Sequence, residues 1–157
     1  MLAITTLPGA ILLHEGQIEG YRVRTPVQLR SRRQESSNQR LRSFYERFLS
    51  LPDIRQGHFV VLPPCSAREG DDTYKALLAW AWAHETQGWL VVINYAEHMS
   101  QGLLNLADLP LPTGVVRFRD HLHDSTYEHS HETVQGTGLP VVLPPFGAQL
   151  LEVTPHI

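Results

Sequence analysis

Eight short apolar segments follow one another between Gly57 and the C-terminus, and their spacing limits the fold more than any other feature of the sequence. The breaks between them carry glycine and proline, which favour turns. Many short strands at close spacing, with no helical segment between them, predict an antiparallel sandwich or barrel of about a hundred residues. The predicted strands are 58–62, 76–83, 89–95, 102–106, 115–119, 126–130, 139–143 and 147–153.

The N-terminal third has a different pattern of apolar and polar residues. Residues 9–14 form a continuous apolar run, which is typical of a parallel-sheet strand covered on both faces. A helix is predicted to follow, with either Ser36 or Asn38 as its N-cap and with Pro52 ending it. One helical face is marked by apolar residues at three- and four-residue steps: Leu41, Phe44, Tyr45, Phe48 and Leu49. One strand and one helix cannot close a sheet.

These patterns predict a mainly β chain with two parts. Residues 53–157 are expected to form a Greek-key-like antiparallel β-sandwich, and residues 1–52 to supply one preceding strand and one helix.

The composition excludes several classes of protein. With 157 residues, 42% hydrophobic residues and a net charge of −3, the chain can build a core and has no electrostatic attraction to nucleic acid. No apolar run approaches the ~20 residues that a membrane span needs. The single Cys65 excludes an internal disulfide and a multi-cysteine zinc site. We expect no cofactor, and a cytoplasmic location because residues 1–6 do not form a secretory signal.

The order of several motifs carries a resemblance. The run Thr6–Gly20 (TLPGAILLHEGQIEG) is similar to the eighth barrel strand and following loop of α-amylase-family glycoside hydrolases, and the helix Leu41–Leu49 resembles the last barrel helix. The segments Leu77–Trp82 and Leu90–Tyr95 resemble the opening hairpin of that family's C-terminal β-domain. Leu143–Ala148 (LPPFGA) resembles its final turn and strand.

The resemblance implies that residues 1–52 are the end of a (β/α)8 barrel and residues 53–157 the C-terminal β-domain. The parent protein would hydrolyse or transfer the bonds of an α-glucan or a maltooligosaccharide. The family's three catalytic carboxylates sit at the ends of the fourth, fifth and seventh strands, so this chain alone is expected to be inactive, with a structural, stabilising β-domain. The alternative is a non-catalytic accessory module that binds carbohydrate or a partner protein.

Three polar residues, Glu15, Gln17 and Glu19, follow the predicted barrel strand. They could border the substrate cleft, because barrel active sites lie at the C-terminal ends of the strands. The interpretation we favour is that they hold the loop through hydrogen bonds.

Tryptophans are a second candidate for substrate binding. Trp80 and Trp82 are two residues apart on one strand and therefore share a face, and Trp89 follows on the next strand. All three could stack on sugar rings, but core packing is the interpretation we favour. An exposed pair would favour the accessory module.

Four histidines form the one candidate metal site: His121, His123, His129 and His131. Alternation places each His-x-His pair on one face of its strand, and a hairpin between them could bring all four imidazoles together. A histidine-rich solvated surface is the alternative that we favour.

The apolar segment 9–14 has a further implication. Without the other barrel strands, it would expose backbone and apolar surface, so we expect it either to lie against the β-domain or to support self-association of the chain.

Overall fold

The computed structural model describes residues 1–23, 26, 28–31, 34–85 and 87–155. The chain divides into two compact units, Met1–Asp53 (unit 1) and Ile54–Ile157 (unit 2). Each is described below by itself.

Unit 1 contains two helices, α1 (Leu2–Thr6) and α2 (Gln39–Leu49). The second confirms the predicted helix. Its N-cap is Asn38, whose side chain accepts a hydrogen bond from the Leu41 N–H at 3.1 Å. The helix ends three residues before Pro52, as expected from the conformational restriction that proline places on the residue before it. Tyr45 and Phe48 are its buried residues.

The prediction of a strand at residues 9–14 is wrong. The segment has no regular secondary structure, and the chain after Leu7 is extended or bent. The physical reason is that a β-strand is stable only where a neighbour pairs with its N–H and C=O groups. Residues 10–14 belong to no strand pair in the described part of unit 1.

Unit 2 contains the antiparallel strands that the sequence predicts, and the mainly β, sandwich-like fold is confirmed. Each of the eight predicted segments overlaps a strand, and one short additional strand lies at Pro64–Cys65. The strands are β1 (His58–Val61), β2 (Pro64–Cys65), β3 (Leu77–His84), β4 (Gln87–Asn94), β5 (Ser100–Leu104), β6 (Val115–Asp120), β7 (Ser125–Ser130), β8 (Leu139–Leu143) and β9 (Ala148–Pro155).

The expectation of no helix between the strands is wrong. A 3₁₀ turn spans Thr73–Ala76, and a short helix, α3, spans His131–Gly136. Ser130 caps α3 by accepting from the Thr133 N–H at 3.2 Å, and Val134 is its buried residue.

Two antiparallel sheets form the sandwich. The larger has the order β1-β3-β4-β9-β6-β7, and the smaller has the order β2-β5-β8. The last strand of the chain, β9, lies between β4 and β6, so the sheet order departs from the chain order as in Greek-key folds. The chain crosses between the sheets several times, because β2, β5 and β8 belong to the smaller one.

The core lies between the two sheets. The larger sheet contributes Leu90, Val92, Phe118 and Leu151, and the smaller sheet faces them with residues that include Leu104, Val141 and Leu143. Full burial of side chains of this size stabilises a fold by about 1.5–3 kcal/mol each.

The opposite face of the larger sheet is also apolar over three adjacent strands. Trp80 lies opposite Val91, and Val91 lies opposite Leu150. Trp80 is 5% exposed, and the other two are fully buried. Because Ala79 and Ala81 point into the core, Trp80 must point away from it. We call Trp80, Val91 and Leu150 the second face.

Candidate functional site

The polar residues after segment 9–14 hold a loop onto helix α2. The Gln17 amide Nε2 donates to the Tyr45 hydroxyl at 3.1 Å. The Glu19 carbonyl accepts from the Asn38 N–H at 2.8 Å, one residue before the helix begins. Glu15 is exposed, and its backbone carbonyl lies 3.1 Å from the His14 ring Nδ1. The Gln17 side chain and the Glu19 backbone carbonyl therefore hold the loop onto α2.

The loop ends at Gly20, a position where both the backbone conformation and the available space require glycine. Its φ of 69° is in the left-handed region, where a side chain is strained. A Cβ atom at this position would also lie 2.8 Å from the Leu41 Cδ2 atom and 3.2 Å from the Asn38 Cβ atom. Because Gly20 has no side chain, the loop can approach the first turn of α2 this closely.

The tryptophans do not form an exposed pair. Trp80 and Trp89 are buried, and Trp82 is partly buried with its ring 5.2 Å from that of Phe59. A narrow pocket beside Trp82 and Trp89 has only about 10 Å³ of free volume. That volume holds about one water molecule and cannot take a sugar ring.

The four histidines are not brought together, which corrects the proposed arrangement. In the β6–β7 hairpin, Asp120 pairs with Ser125 at the turn end and Val116 pairs with His129 toward the other end. Four residues of antiparallel strand separate these pairs, or about 13 Å. His121 and His123 therefore lie at the turn, whereas His129 and His131 lie at the far end.

Each imidazole also has its own neighbour. The ring Nε2 of His121 lies 2.8 Å from a Glu152 oxygen, and the ring is 5.0 Å from that of Trp89. The ring Nδ1 of His131 lies 2.9 Å from the Pro112 carbonyl, and His129 meets the Phe118 ring edge-on. In the described part of the chain, no group of three or more His, Cys, Asp or Glu side chains could hold a metal ion.

The fourth histidine, His123, contacts the buried carboxylate of Asp120. Asp120 is fully buried, and its Oδ2 atom lies 2.8 Å from the His123 ring Nδ1. Its Oδ1 atom accepts from the Leu122 N–H at 2.9 Å and the Leu150 N–H at 3.5 Å. A buried carboxylate with three partners fixes the hairpin turn, so the histidine-rich segment has a structural explanation.

The exposed aromatic residues of unit 2 were not predicted from the sequence. Tyr95 directly follows β4 and is 76% exposed, and Phe146 directly precedes Gly147 and β9 and is 65% exposed. The available signal was Phe146 in the turn LPPFG, because an aromatic residue has no packing role in a solvated turn.

A buried polar side chain, Asn94, lies at the end of β4. Its Nδ2 group donates to the Pro144 carbonyl at 2.8 Å and to the His98 carbonyl at 2.8 Å. Its Oδ1 atom accepts from the Ala96 N–H at 3.1 Å and from the Ser100 hydroxyl at 3.0 Å. Asn94 is 1% exposed, and it joins the β4–β5 loop to the β8–β9 turn.

No helix in the described residues is both long and apolar enough to cross a membrane. Neither a family model nor a curated protein matches the sequence. Among solved structures, the chain is similar to a crystal structure of a Bacillus halodurans protein provisionally assigned as an alpha-N-acetylgalactosaminidase, with 14% identity and a TM-score of 0.42. The match covers 63% of this chain and 21% of that protein, so the chain spans about a fifth of its length. A likeness of this size does not identify a shared activity.

Proposed function

We propose that this chain is the C-terminal part of an α-amylase-family glycoside hydrolase that acts on α-glucans or maltooligosaccharides. In this proposal, unit 2 is the β-domain that stabilises the catalytic barrel, and unit 1 is the end of that barrel. The chain by itself performs no catalysis, because the family's three catalytic carboxylates belong to earlier barrel strands.

The observation that carries the proposal is the second face of the larger sheet. A two-sheet β-sandwich folds with one apolar face per sheet, the inner one, and the outer face is commonly polar. Here Trp80, Val91 and Leu150 make the outer face apolar as well. Trp80 is 5% exposed and Val91 and Leu150 are fully buried, so this outer face is a covered one. A sheet covered on both faces supports a domain that packs against a further layer, as a barrel-stabilising domain would. The order of motifs from Thr6 to Ala148 supports the same family.

An exposed tryptophan pair would favour the accessory-module alternative. Trp80 is buried, so that observation does not support the alternative.

The reading frame upstream of the Met1 codon tests the parent protein. An in-frame extension that encodes a barrel with three catalytic carboxylates is expected. An upstream frame that encodes an unrelated domain would contradict the proposal.

An activity assay tests the chain itself. Glycoside hydrolysis needs a nucleophile and a proton donor fixed across the scissile bond, and such residues act as a unit. We expect no release of reducing sugar from starch or maltooligosaccharides above a buffer blank. Turnover that survives repurification and disappears in Glu15→Gln or Glu19→Gln variants would contradict this expectation.

We also propose that segment 9–14 can support self-association. Within unit 1, Leu12 is 81% exposed, although it belongs to an apolar run. Sedimentation velocity should show concentration-dependent association that decreases in a Leu12→Ser variant. A Val142→Ser variant, which changes an exposed apolar residue of unit 2, should associate as the original chain does.

A further inference from the structure

Strand β1 is an edge strand of the larger sheet, and its outer side is open. Among the described strands, β1 pairs with β3 and with no other. The Leu62 N–H donates to the Ala79 carbonyl at 3.0 Å, and hydrogen-bonded pairs alternate along an antiparallel ladder. The even-numbered residues of β1 therefore bond to β3, whereas the N–H and C=O groups of Phe59 and Val61 point outward.

The other edge strands of the described sheets carry features that oppose further pairing. Pro64 in β2 and Pro140 in β8 have no N–H to donate to a new neighbour. Glu128 in β7 places a charge on the edge and forms an ion pair with Arg117 at 3.2 Å. Strand β1 has neither proline nor a Lys, Arg, Asp or Glu residue, and its Val61 is 63% exposed. Strand β1 is therefore the edge that is least protected against pairing with another chain.

A second copy of β1 fits this edge, because an antiparallel strand pair can be related by a two-fold axis. With Val60 on the axis, Phe59 lies opposite Val61 of the second copy, and the outward N–H and C=O groups of both residues are bonded. A register in which Val61 faces its own copy brings Phe59 opposite Pro63, which has no N–H. The opposite shift brings Val61 opposite Gly57, which lies before the strand and has a left-handed φ of 93°. The residues around β1 therefore select the register centred on Val60.

This register also covers the exposed apolar surface of β1. Within one copy, the Phe59 ring lies 5.2 Å from the Trp82 ring, and Val61 pairs with Trp80 on the same face. In the pair, Phe59 of each copy packs beside Val61 of the other, so apolar side chains continue across the axis. Two strands of four residues bury less than the ~800 Å² per partner of a standard interface, so the dimer is weak. Because the pairing uses up the open edge of each copy, association stops at two copies.

We propose that two copies of this chain pair their β1 strands antiparallel about a two-fold axis at Val60. The pairing joins the two six-stranded sheets into one continuous sheet. This surface is separate from segment 9–14 and from the second face, and it does not rest on the proposed function.

Sedimentation equilibrium of the full 157-residue chain, up to millimolar concentration, tests the dimer. All samples carry Leu12→Ser, so that association through segment 9–14 is reduced. Val61→Lys adds an exposed charge to the edge and should raise the dimer dissociation constant by about tenfold or more. The matched control is Val142→Lys, which changes an exposed valine of edge strand β8 and should leave the constant unchanged. Urea unfolding should show that both variants keep the fold, because both valines are exposed.

A disulfide tests the register. Cys65 is exposed and free, so the cross-linking variants also carry Cys65→Ser. Val60→Cys places two thiols on the axis with Cα atoms about 4.5 Å apart, within the range that a disulfide spans. Oxidation should therefore give a covalent dimer. Val61→Cys is the control, because the two Val61 positions lie beyond the limit of about 7 Å and should not link.

The inference is overturned by a monomer at all concentrations, by a series of species larger than a dimer, or by equal dissociation constants in the Val61→Lys and Val142→Lys variants. It is also overturned if Leu12→Ser alone abolishes the dimer, because segment 9–14 then carries the association. A yield of covalent dimer from Val60→Cys that does not exceed the yield from Val61→Cys overturns the proposed register.

Discussion

The two units of this chain differ in where their structural partners lie. In unit 2, each described strand pairs with another strand of the same unit, and the space between the sheets is filled by side chains such as Leu90, Phe118 and Leu151. In unit 1, the buried apolar side chains of the described residues are Leu2, Tyr45 and Phe48, whereas Leu12 is largely exposed.

This difference shows which secondary-structure elements form from contacts that the chain itself supplies. A helix satisfies its own backbone hydrogen bonds, so α2 forms from local signals that include the Asn38 cap. The β3–β4 and β6–β7 hairpins keep both partners within a short stretch of sequence, and β9 then pairs with β4 and β6 within the same unit. A parallel strand needs neighbours far away in sequence, and residues 10–14 belong to no strand pair in the described part of the chain.

The largest expected effect is on the core of unit 2. Phe118 is fully buried, and Phe118→Ala should lower the free energy of unfolding by about 3–5 kcal/mol because a cavity replaces the ring. Urea unfolding followed by tryptophan fluorescence measures this, since all three tryptophans lie in unit 2. Tyr127, its cross-strand partner, is partly exposed, and Tyr127→Ala should cost far less. Equal losses would show that the space between the sheets is not the core.

Asn94→Leu should have the next largest effect. The substitution removes the buried amide that binds the carbonyls of His98 and Pro144 and should cost about 1–3 kcal/mol. Asn105→Leu is the control, because Asn105 is exposed and its side chain accepts only from the Ala107 N–H among the bonds described. If the two variants unfold at the same urea concentration, Asn94 does not join the two loops as described.

A smaller effect is expected in unit 1. Asn38→Ala should destabilise α2 by about 1 kcal/mol, because the Leu41 N–H loses its acceptor. Ser36→Ala removes the rival cap that the sequence allows and should leave the helix unchanged. Amide chemical shifts of residues 39–49 report the helix content directly. A larger loss in the Ser36 variant would contradict the observed cap.

The smallest effect concerns the loop before β3. Hydrogen bonds from the Thr73 N–H and then from the Gln101 amide lower the pKa of Asp71 below its ordinary value of 3.8. Because the folded pKa is the lower one, the stabilisation is present above the unfolded pKa and is lost as pH falls toward the folded value. Carboxyl-carbon NMR titration should show the Asp71 pKa rising in Gln101→Ala and unchanged in Gln149→Ala. No rise in the Gln101 variant would contradict the contact.

Much of unit 2 could be predicted because its signals are local. Apolar runs bounded by turn residues predicted eight of the nine strands, and the close spacing of these runs predicted the sandwich. Helix α3 was missed because its six residues contain one buried apolar position, Val134, and lie directly after a strand. The two short elements around residues 64–76 carry similarly little pattern.

The candidate sites depended on information that sequence spacing does not hold. Alternation correctly placed Trp80 and Trp82 on one face, but not whether that face is buried. The two histidine pairs lie at opposite ends of the β6–β7 hairpin. The sequence does not show which residues of the two strands pair, so it could not predict this separation. Asn94 and Pro144 are far apart in sequence, and the β4–β9 pairing brings their segments together.

The central claim is that unit 2 is a self-sufficient β-domain, and a chain of residues 54–157 tests it most directly. Urea unfolding of this shortened chain, followed by tryptophan fluorescence together with NMR amide dispersion, should show one cooperative transition and a folded spectrum. An unfolded spectrum, or a transition without cooperativity, would contradict the account and show that residues 1–53 are an integral part of one fold.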